Sequence, residues 1–371
     1  MTKKHSALKI SLIAIVVGFL LGFIIVIITG RNPVNMFYAI FRSVTGYNLM
    51  RPDRPANFMF VLNWFLDSMP IILTGLSVGF AYRSGLFNIG AEGQYMMGSL
   101  GASIVALTVN LPLLPHLILC VLVGMLFGAL WAAIPGILKA YRNINEVVIC
   151  IMLNYCALHF GNFILRNFLP IDPNTNARTI QFPKTAVLPR VTDLTTSQFN
   201  WGFLVVVICL ILFWFIMEKT TFGYSLRATG FNKESARFAG MKVERNTVYS
   251  MMISGALAGA AGAIVVCSVF KYGRIFTVFD NYGFDGISVA LVGAANAIGI
   301  GLAGLLFGLL KSCGNNLQIF NIPKEVSQLI QATIIYLVAI QYGVSYLLNK
   351  FGKKKENRNL DELIQEEGDV I

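Results

Sequence analysis

Apolar residues arrive in blocks along this chain, with polar residues gathered between the blocks and admitted inside them at only a few positions. Roughly 18 or more apolar residues, at 1.5 Å per residue, are long enough to cross about 30 Å of hydrocarbon as a helix. Residues 8–29, 58–82, 113–138, 146–165, 201–217, 247–270 and 325–348 reach or approach that length. Two further regions, 85–110 and 284–320, are apolar but broken by glycine, asparagine and charge. The pattern predicts an all-α polytopic membrane protein.

The most informative interruption is GLFNIGAEGQ at 85–94, which sets Asn88, Glu92 and Gln94 between two apolar runs. A charge near the bilayer centre costs roughly 2.5–3.5 kcal/mol on insertion scales, so it faces a bundle interior or a water-filled path. Glu92 and Asn88 are therefore site candidates. Two roles stay open for Glu92, contact with a solute and bracing of an interrupted helix.

Lys and Arg accumulate in short cytoplasmic loops. The stretch 218–246, with Lys219, Arg227, Lys233, Arg237, Lys242 and Arg245, is expected inside, as is the tail with Lys350, Lys353, Lys354, Lys355 and Arg358. With an inside N-terminus, five crossings bring the chain outside at Arg166 and a sixth returns it at Glu218. Parity then requires the region 283–321 to cross twice or not at all. About ten transmembrane helices in two sets of five is the expected layout, the eighth short and interrupted near Gly293–Asn296. The expected organisation is a transmembrane domain over 1–349 and a cytoplasmic tail over 350–371. Within the domain, 1–168 forms a first half and 201–349 a second, with 169–200 an external loop and 218–246 a cytoplasmic loop.

The two halves share a pattern. Thr74-Gly75 followed by Gly79 reads against Ser254-Gly255 followed by Gly259, each a Gly-x-x-x-Gly helix-packing face. Such pairs also occur at Gly18/Gly22, Gly124/Gly128 and Gly304/Gly308, so spacing alone is weak. After the first pattern comes GLFNIGAEGQYMMGSLGA, and after the second YGFDGISVALVGAANAIGIG. On the expected topology the two start from opposite sides. Inverted repeats with interrupted helices, placing a translocation site near the midplane, follow from that arrangement.

Composition narrows the class. The chain is 56% hydrophobic and 13% charged, far below the quarter charged of soluble domains. Its net charge of +11 is scattered among loops with no soluble basic domain, which points to topology and lipid headgroups and away from nucleic acid. The cysteines at 120, 150, 156, 209, 267 and 313 lie in or beside apolar runs without a CxxC pair, so they read as packing residues and no metal site is expected. His5, His116 and His159 are isolated. Gly299-x-Gly301-x-x-Gly304 matches a dinucleotide fingerprint only on paper, because no strand or soluble βαβ unit surrounds it. No phosphate-binding P-loop, HExxH or GxSxG occurs, and no cofactor is expected.

The long loop TFGYSLRATGFNKESARFAGMKVERN mixes helix formers, small residues and charges. Asn232 is placed to cap a short helix, Glu234 suits its first turn, and Gly240 can end it. Such a helix would offer Ala236, Phe238 and Ala239 as contacts to a docked partner. Glu146, beside Lys139 and Arg142, is expected to form an ionic brace.

Four segments, in order, resemble a known family: GLFNIGAEGQ, Asn145-Glu146-Val147-Val148 with Met152-Leu153-Asn154-Tyr155, RATGFNKESARFAG, and YGFDGISVALVG. They are similar to membrane permeases of ATP-binding-cassette importers, in the branched-chain amino acid and sugar permease superfamily. Within it they most resemble the larger permease of nucleoside importers that use a basic-membrane-protein-type binding lipoprotein. The family's coupling motif is loosely Glu-Ala-Ala followed by Gly, and Glu234-Ser235-Ala236 with Gly240 departs from it by a serine.

The resemblance implies a transport subunit without chemistry of its own. Its implied partners are an ATP-binding subunit on the coupling residues Asn232, Glu234, Ala236, Phe238, Ala239 and Gly240, a second permease as heterodimer, and an extracellular substrate-binding lipoprotein that the external segment Arg166 to Asn200 could receive, a plain ordered loop being its alternative. The candidate pathway residues for a nucleoside are Asn88, Glu92, Gln94 and Asn154 in the first half and Asp285, Ser288 and Asn296 in the second. Phe87, Tyr95 and Phe284 are candidates to stack a base. Asn154 has an interhelical hydrogen bond as its alternative. A sugar or branched-chain amino acid permease, an ion-driven secondary transporter and a membrane scaffold remain as other readings.

Overall fold

A computed structural model describes residues 4–48, 56–175, 177–192 and 196–339. Residues 340–348 of the last expected span and the expected cytoplasmic tail 350–371 lie outside the described residues. The helices are α1 (Lys4–Ile28), α2 (Val34–Thr45), α3 (Met59–Arg83), α4 (Ala91–Thr108), α5 (Leu113–Arg142) and α6 (Glu146–Phe168). They continue with α7 (Gly202–Lys219), α8 (Thr221–Phe231), α9 (Lys233–Phe238), α10 (Val243–Val265), α11 (Tyr282–Val292), α12 (Ala297–Gln318) and α13 (Glu325–Ala339). The end of α10 widens into a π-turn over Val266–Phe270.

By length and composition, α3, α5, α6, α7, α10 with its π-turn, and α12 can each cross a membrane. Shorter apolar helical stretches cover Ile13–Ile28, Tyr282–Val292 and Glu325–Val338. In the middle of the bundle α3 packs on α11 and α12, α10 packs on α4 and α5, and α3 and α10 touch each other. Small residues permit this. A Cβ on Gly128 would run into the Gly255 carbonyl, and one on Gly259 into the Gly124 carbonyl, so the helix backbones are in direct contact. In lipid, where no hydrophobic drive separates helix from tail, such close van der Waals packing carries association.

Three features depart from the expected pattern. The segment 169–200 is not all irregular: β1 (Arg178–Gln181) pairs antiparallel with β2 (Tyr272–Arg274), fastening it to the end of α10. Helix α2 was not expected because 12 residues fail any spanning test. It buries Met36, Ala39 and Ser43 and exposes Val34, Phe37, Phe41 and Val44. Finally, Gly293–Asn296 is not a break inside a helix but the tight turn between α11 and α12, with Ala294 and Ala295 both at φ 50°.

The interruption lies instead at the start of α11. Its Tyr282 carbonyl accepts from the Thr74 hydroxyl at 2.8 Å. Thr74 stands nine residues from the end of α3, hence about 13 Å in at 1.5 Å per residue. Helix α4 also starts inside the bundle: Gly85 lies against Gly230 at the end of α8, and the chain then runs through fully buried Asn88 before Ala91 opens the helix. Helix α11 ends near Ala295, whose carbonyl accepts from Arg83 at 3.4 Å, so α11 runs toward the end of α3 that α4 leaves. Helices α4 and α11 run in opposite directions and their N-termini meet.

Candidate functional site

Glu92, in the first turn of α4 and fully buried, sits where the N-termini meet. Its carboxylate accepts from the Asn281 N–H at 2.9 Å and the Gly283 N–H at 2.6 Å. These are free donors at a helix start, where the partial positive end of the dipole favours an anionic group. Gly283 is needed for the approach, since a Cβ there would press on the Glu92 backbone. Around this point the Tyr95 hydroxyl donates to Asp280 at 3.2 Å, Arg274 pairs with Asp280 at 2.7 Å, and the Tyr95 and Tyr282 rings lie 5.4 Å apart.

The extended segment before α4 is held by amides. Asn88 donates to Gln94 and to the Ser254 hydroxyl, each at 2.7 Å, and accepts from Gln94 at 3.0 Å and from the Gly90 N–H at 3.0 Å. Ser254 in turn donates to the Ser77 carbonyl at 2.6 Å, joining α10 to α3. Asn154 on α6 accepts from the Gly93 N–H at 2.8 Å and donates to the Ile89 carbonyl at 3.0 Å. A non-helical backbone at this depth needs such partners, because no water or lipid group supplies them.

A polar cavity of about 520 Å³ opens beside the start of α11. Asp67 of α3, Asn281, Phe284 and Asp285 of the α11 start, Lys311 of α12 and Gln328 of α13 line it. Lys311 reaches Asp285 at 3.4 Å and the Tyr282 ring at 3.6 Å from its centroid. A larger groove of about 750 Å³ between α3, α7 and α12 is lined by apolar side chains apart from Ser68, whose hydroxyl donates to the Trp64 carbonyl, and Trp214. It has no group set to orient a polar solute.

The residues singled out from sequence divide accordingly. Asn88, Glu92, Gln94, Asn154 and Tyr95 are buried and engaged with neighbouring helices, and none of them lines the polar cavity. Phe87 is half-buried in the segment before α4. Asp285 and Phe284 do line the cavity, while Ser288 lies buried one turn further along, bonded to the Phe284 carbonyl at 3.3 Å. Asn296 is exposed in the α11–α12 turn, away from this group, because the turn rather than a break occupies 293–296. Asp67, Lys311 and Gln328 are not among the residues expected from sequence. Their signal was the one that flagged Glu92, since Asp67 and Lys311 are charges inside apolar runs.

At the other end, α8 and α9 form an elbow between α7 and α10. Asn232 accepts from the Ser235 N–H at 3.0 Å as the N-cap of α9, and Gly240, at φ 79°, closes the helix by donating to the Arg237 carbonyl. Asn246 seats α8 on α10 by donating to the Ser225 and Thr229 hydroxyls at 2.6 and 3.0 Å. Glu234 pairs with Arg237 at 3.0 Å. Ala239 and Phe238 are exposed, but Ala236 is buried on the inner side of α9, so it is not an outward contact. Phe231, 91% exposed, joins Phe238, 93% exposed, as an outward aromatic. Nearby, Lys139 and Glu146 form the expected brace at 2.9 Å.

In the segment between α6 and α7, the Asn174 N–H and the Arg178 guanidinium hold the Asp172 carboxyl below its ordinary range.

Residues 60–339 match a family model described as branched-chain amino acid transport system, permease component. A guanosine ABC transporter permease, NupP of Bacillus subtilis, is 37% identical over 96% of this chain and 100% of its own length. The nucleoside ABC transporter permease NupB of Lactococcus lactis is 33% identical over 94% of this chain and 95% of its own. A glucose ABC transporter permease, TsgB13 of Haloferax volcanii, is 32% identical over 75% and 76%. The chain therefore belongs to the branched-chain amino acid transport system permease family and is a multi-pass membrane transport subunit of an ABC transporter.

Proposed function

We propose that this chain forms part of the translocation path of a nucleoside importer. The observation that carries the substrate class is the near end-to-end likeness to permeases named for guanosine and nucleosides. Residues 1–349 are the path-forming domain, with ten spans in two inverted halves and both termini cytoplasmic. Support for the inversion comes from the exchange at the centre: α3 of the first half packs on α11 and α12, and α10 of the second packs on α4 and α5.

The partners are an ATP-binding subunit, a second permease and an extracellular substrate-binding lipoprotein, the last received by the 169–200 segment. The α8–α9 elbow docks the ATP-binding subunit through Phe231, Phe238 and Ala239, with Asn232, Glu234 and Gly240 shaping the helix. Movement there has a short route inward. Gly230 at the end of α8 touches Gly85, six residues before the helix whose Glu92 holds the start of α11. Asn88, Gln94 and Asn154 keep that route stiff, whereas Asp285 and Phe284 face the solute.

The test is uptake of labelled guanosine by the reconstituted complex with ATP, challenged by excess leucine, glucose or an ionophore. Inhibition by unlabelled nucleosides alone is the expected result. The likeness to a glucose permease supports a second reading, a sugar path, which competition by glucose would favour. Transport by this chain without ATP or partners would exclude both.

A further inference from the structure

The polar cavity holds groups that the packing around it leaves unused. Asp280 is taken by Arg274 and Tyr95, and Asp285 by Lys311. Asp67 lines the same wall with no hydrogen-bond or ion-pair partner among the described residues. Gln328 enters exposed from α13, and Phe284 adds an aromatic face edge-on to Phe279 at 6.1 Å between centroids. A carboxylate, an amide and an aromatic ring around one polar cavity form a recognition surface.

The chemistry of these groups selects a ligand. A carboxylate accepts only, and its two oxygens match two neighbouring hydroxyl donors. A flat heterocycle gains most from an aromatic face, and a primary amide can meet either a donor or an acceptor on its edge. The volume of about 520 Å³ lies within the range of small-molecule sites, roughly 300–1,000 Å³. Asp280 and Asp285 are each matched by a cation, Arg274 and Lys311, so the only carboxylate of the lining without an ion pair among the described residues, Asp67, faces the solute as an acceptor and repels the phosphate of a phosphorylated ligand.

We infer that this cavity is this chain's share of a ribonucleoside site, in which Asp67 accepts the 2′- and 3′-hydroxyls of the pentose, the base lies on Phe284, and Gln328 meets the base edge. This rests on the nucleoside reading above and adds to it the discrimination of ribose from deoxyribose and of nucleoside from nucleotide. The bound solute would touch Asn281, the residue whose N–H Glu92 holds.

The test uses the complete importer in proteoliposomes with its binding lipoprotein, each solute saturating, and compares initial uptake of guanosine and 2′-deoxyguanosine. Wild type is expected to favour guanosine by about tenfold, the worth of a hydrogen bond to a charged group. Asp67→Asn should bring the ratio near one by slowing guanosine alone, and Phe284→Leu should slow both solutes and keep the ratio. Equal slowing of both by Asp67→Asn, or an unchanged ratio, overturns the assignment. If that variant does not accumulate, wild-type uptake of 2′-deoxy- and 3′-deoxyguanosine decides the matter, since both must fall below guanosine. Absence of any nucleoside uptake by the wild-type complex would instead remove the nucleoside reading itself.

Discussion

Glu92 and Gly283 lie on helices that run in opposite directions, and the carboxylate of the first accepts the backbone N–H of the second at 2.6 Å deep in the bundle. One side chain thereby fixes the start of α11 to the start of α4. A charge that is costly in hydrocarbon is offset here by two donors that would otherwise have no partner.

Replacing Glu92 with Gln keeps the shape but turns one acceptor into a donor facing an N–H. Hydrogen bonds to charged groups contribute about 1.5–3 kcal/mol, so the variant should assemble with its partners yet unfold at lower denaturant. Uptake should fall about tenfold or more, because the α11 start loses its fixed position. Full uptake by the variant would remove Glu92 from the mechanism.

Asn88→Ala makes a harsher test of the same region. It strands the Gln94 amide and the Gly90 N–H in a buried setting, while the Ser254 hydroxyl keeps its bond to the Ser77 carbonyl. An unsatisfied buried group costs roughly 1–3 kcal/mol, so the summed loss should exceed that of Glu92→Gln. Thermal unfolding in detergent measures the order of the two, and a milder Asn88→Ala would show that the segment relaxes onto water.

Much of this was legible in the sequence, for reasons that particular residues make plain. The apolar blocks marked α3, α5, α6, α7, α10 and α12 because spanning length is a property of the chain alone. Glu92 was found because a carboxylate in such a block demands explanation. Its partner was not, since Asn281 and Gly283 offer only backbone N–H groups, which carry no sequence signature. Asn296 was misplaced because an asparagine at an exposed turn and one at a midplane break look alike in a glycine-rich run. Ala236 was misread for a similar reason: six residues of α9 are too few to fix which face turns inward. Helix α2, at 12 residues, is too short to stand out from the chain by spanning length.

Asp172 gives the segment between α6 and α7 a pH dependence. Its folded value lies below the ordinary 3.8, so it contributes stability above that value which is lost as pH falls through the lower folded one. Hydrogen-exchange protection of the Asn174 amide, which Asp172 accepts at 3.0 Å, should therefore fall on strong acidification. The Asp172→Asn variant should show a weaker dependence over the same interval. Equal profiles for the two proteins would assign the change to another group.

The elbow separates docking from shape. Phe238 is almost fully exposed, so Phe238→Ala removes no internal packing, and a Phe231/Phe238 double alanine variant should fold and insert normally. Copurification of the ATP-binding subunit should nevertheless drop sharply, since exposed aromatics act as interface anchors. Gly240 works differently. At φ 79° with open space around its Cβ direction, Gly240→Val meets no neighbour but forces a β-branched residue into the left-handed region, costing about 1–2 kcal/mol. That strain acts on the chain reversal that carries α9 into α10, where Arg237 bridges Glu234 and Glu244 at 3.0 and 2.6 Å. The ATP-binding subunit should still bind, because Phe231 and Phe238 remain, yet its hydrolysis should no longer drive uptake. Parallel assays of ATP hydrolysis and nucleoside uptake on the copurified complex distinguish the two variants. Loss of both activities with Gly240→Val would mean that the glycine holds the docking face itself rather than the link from that face to the bundle.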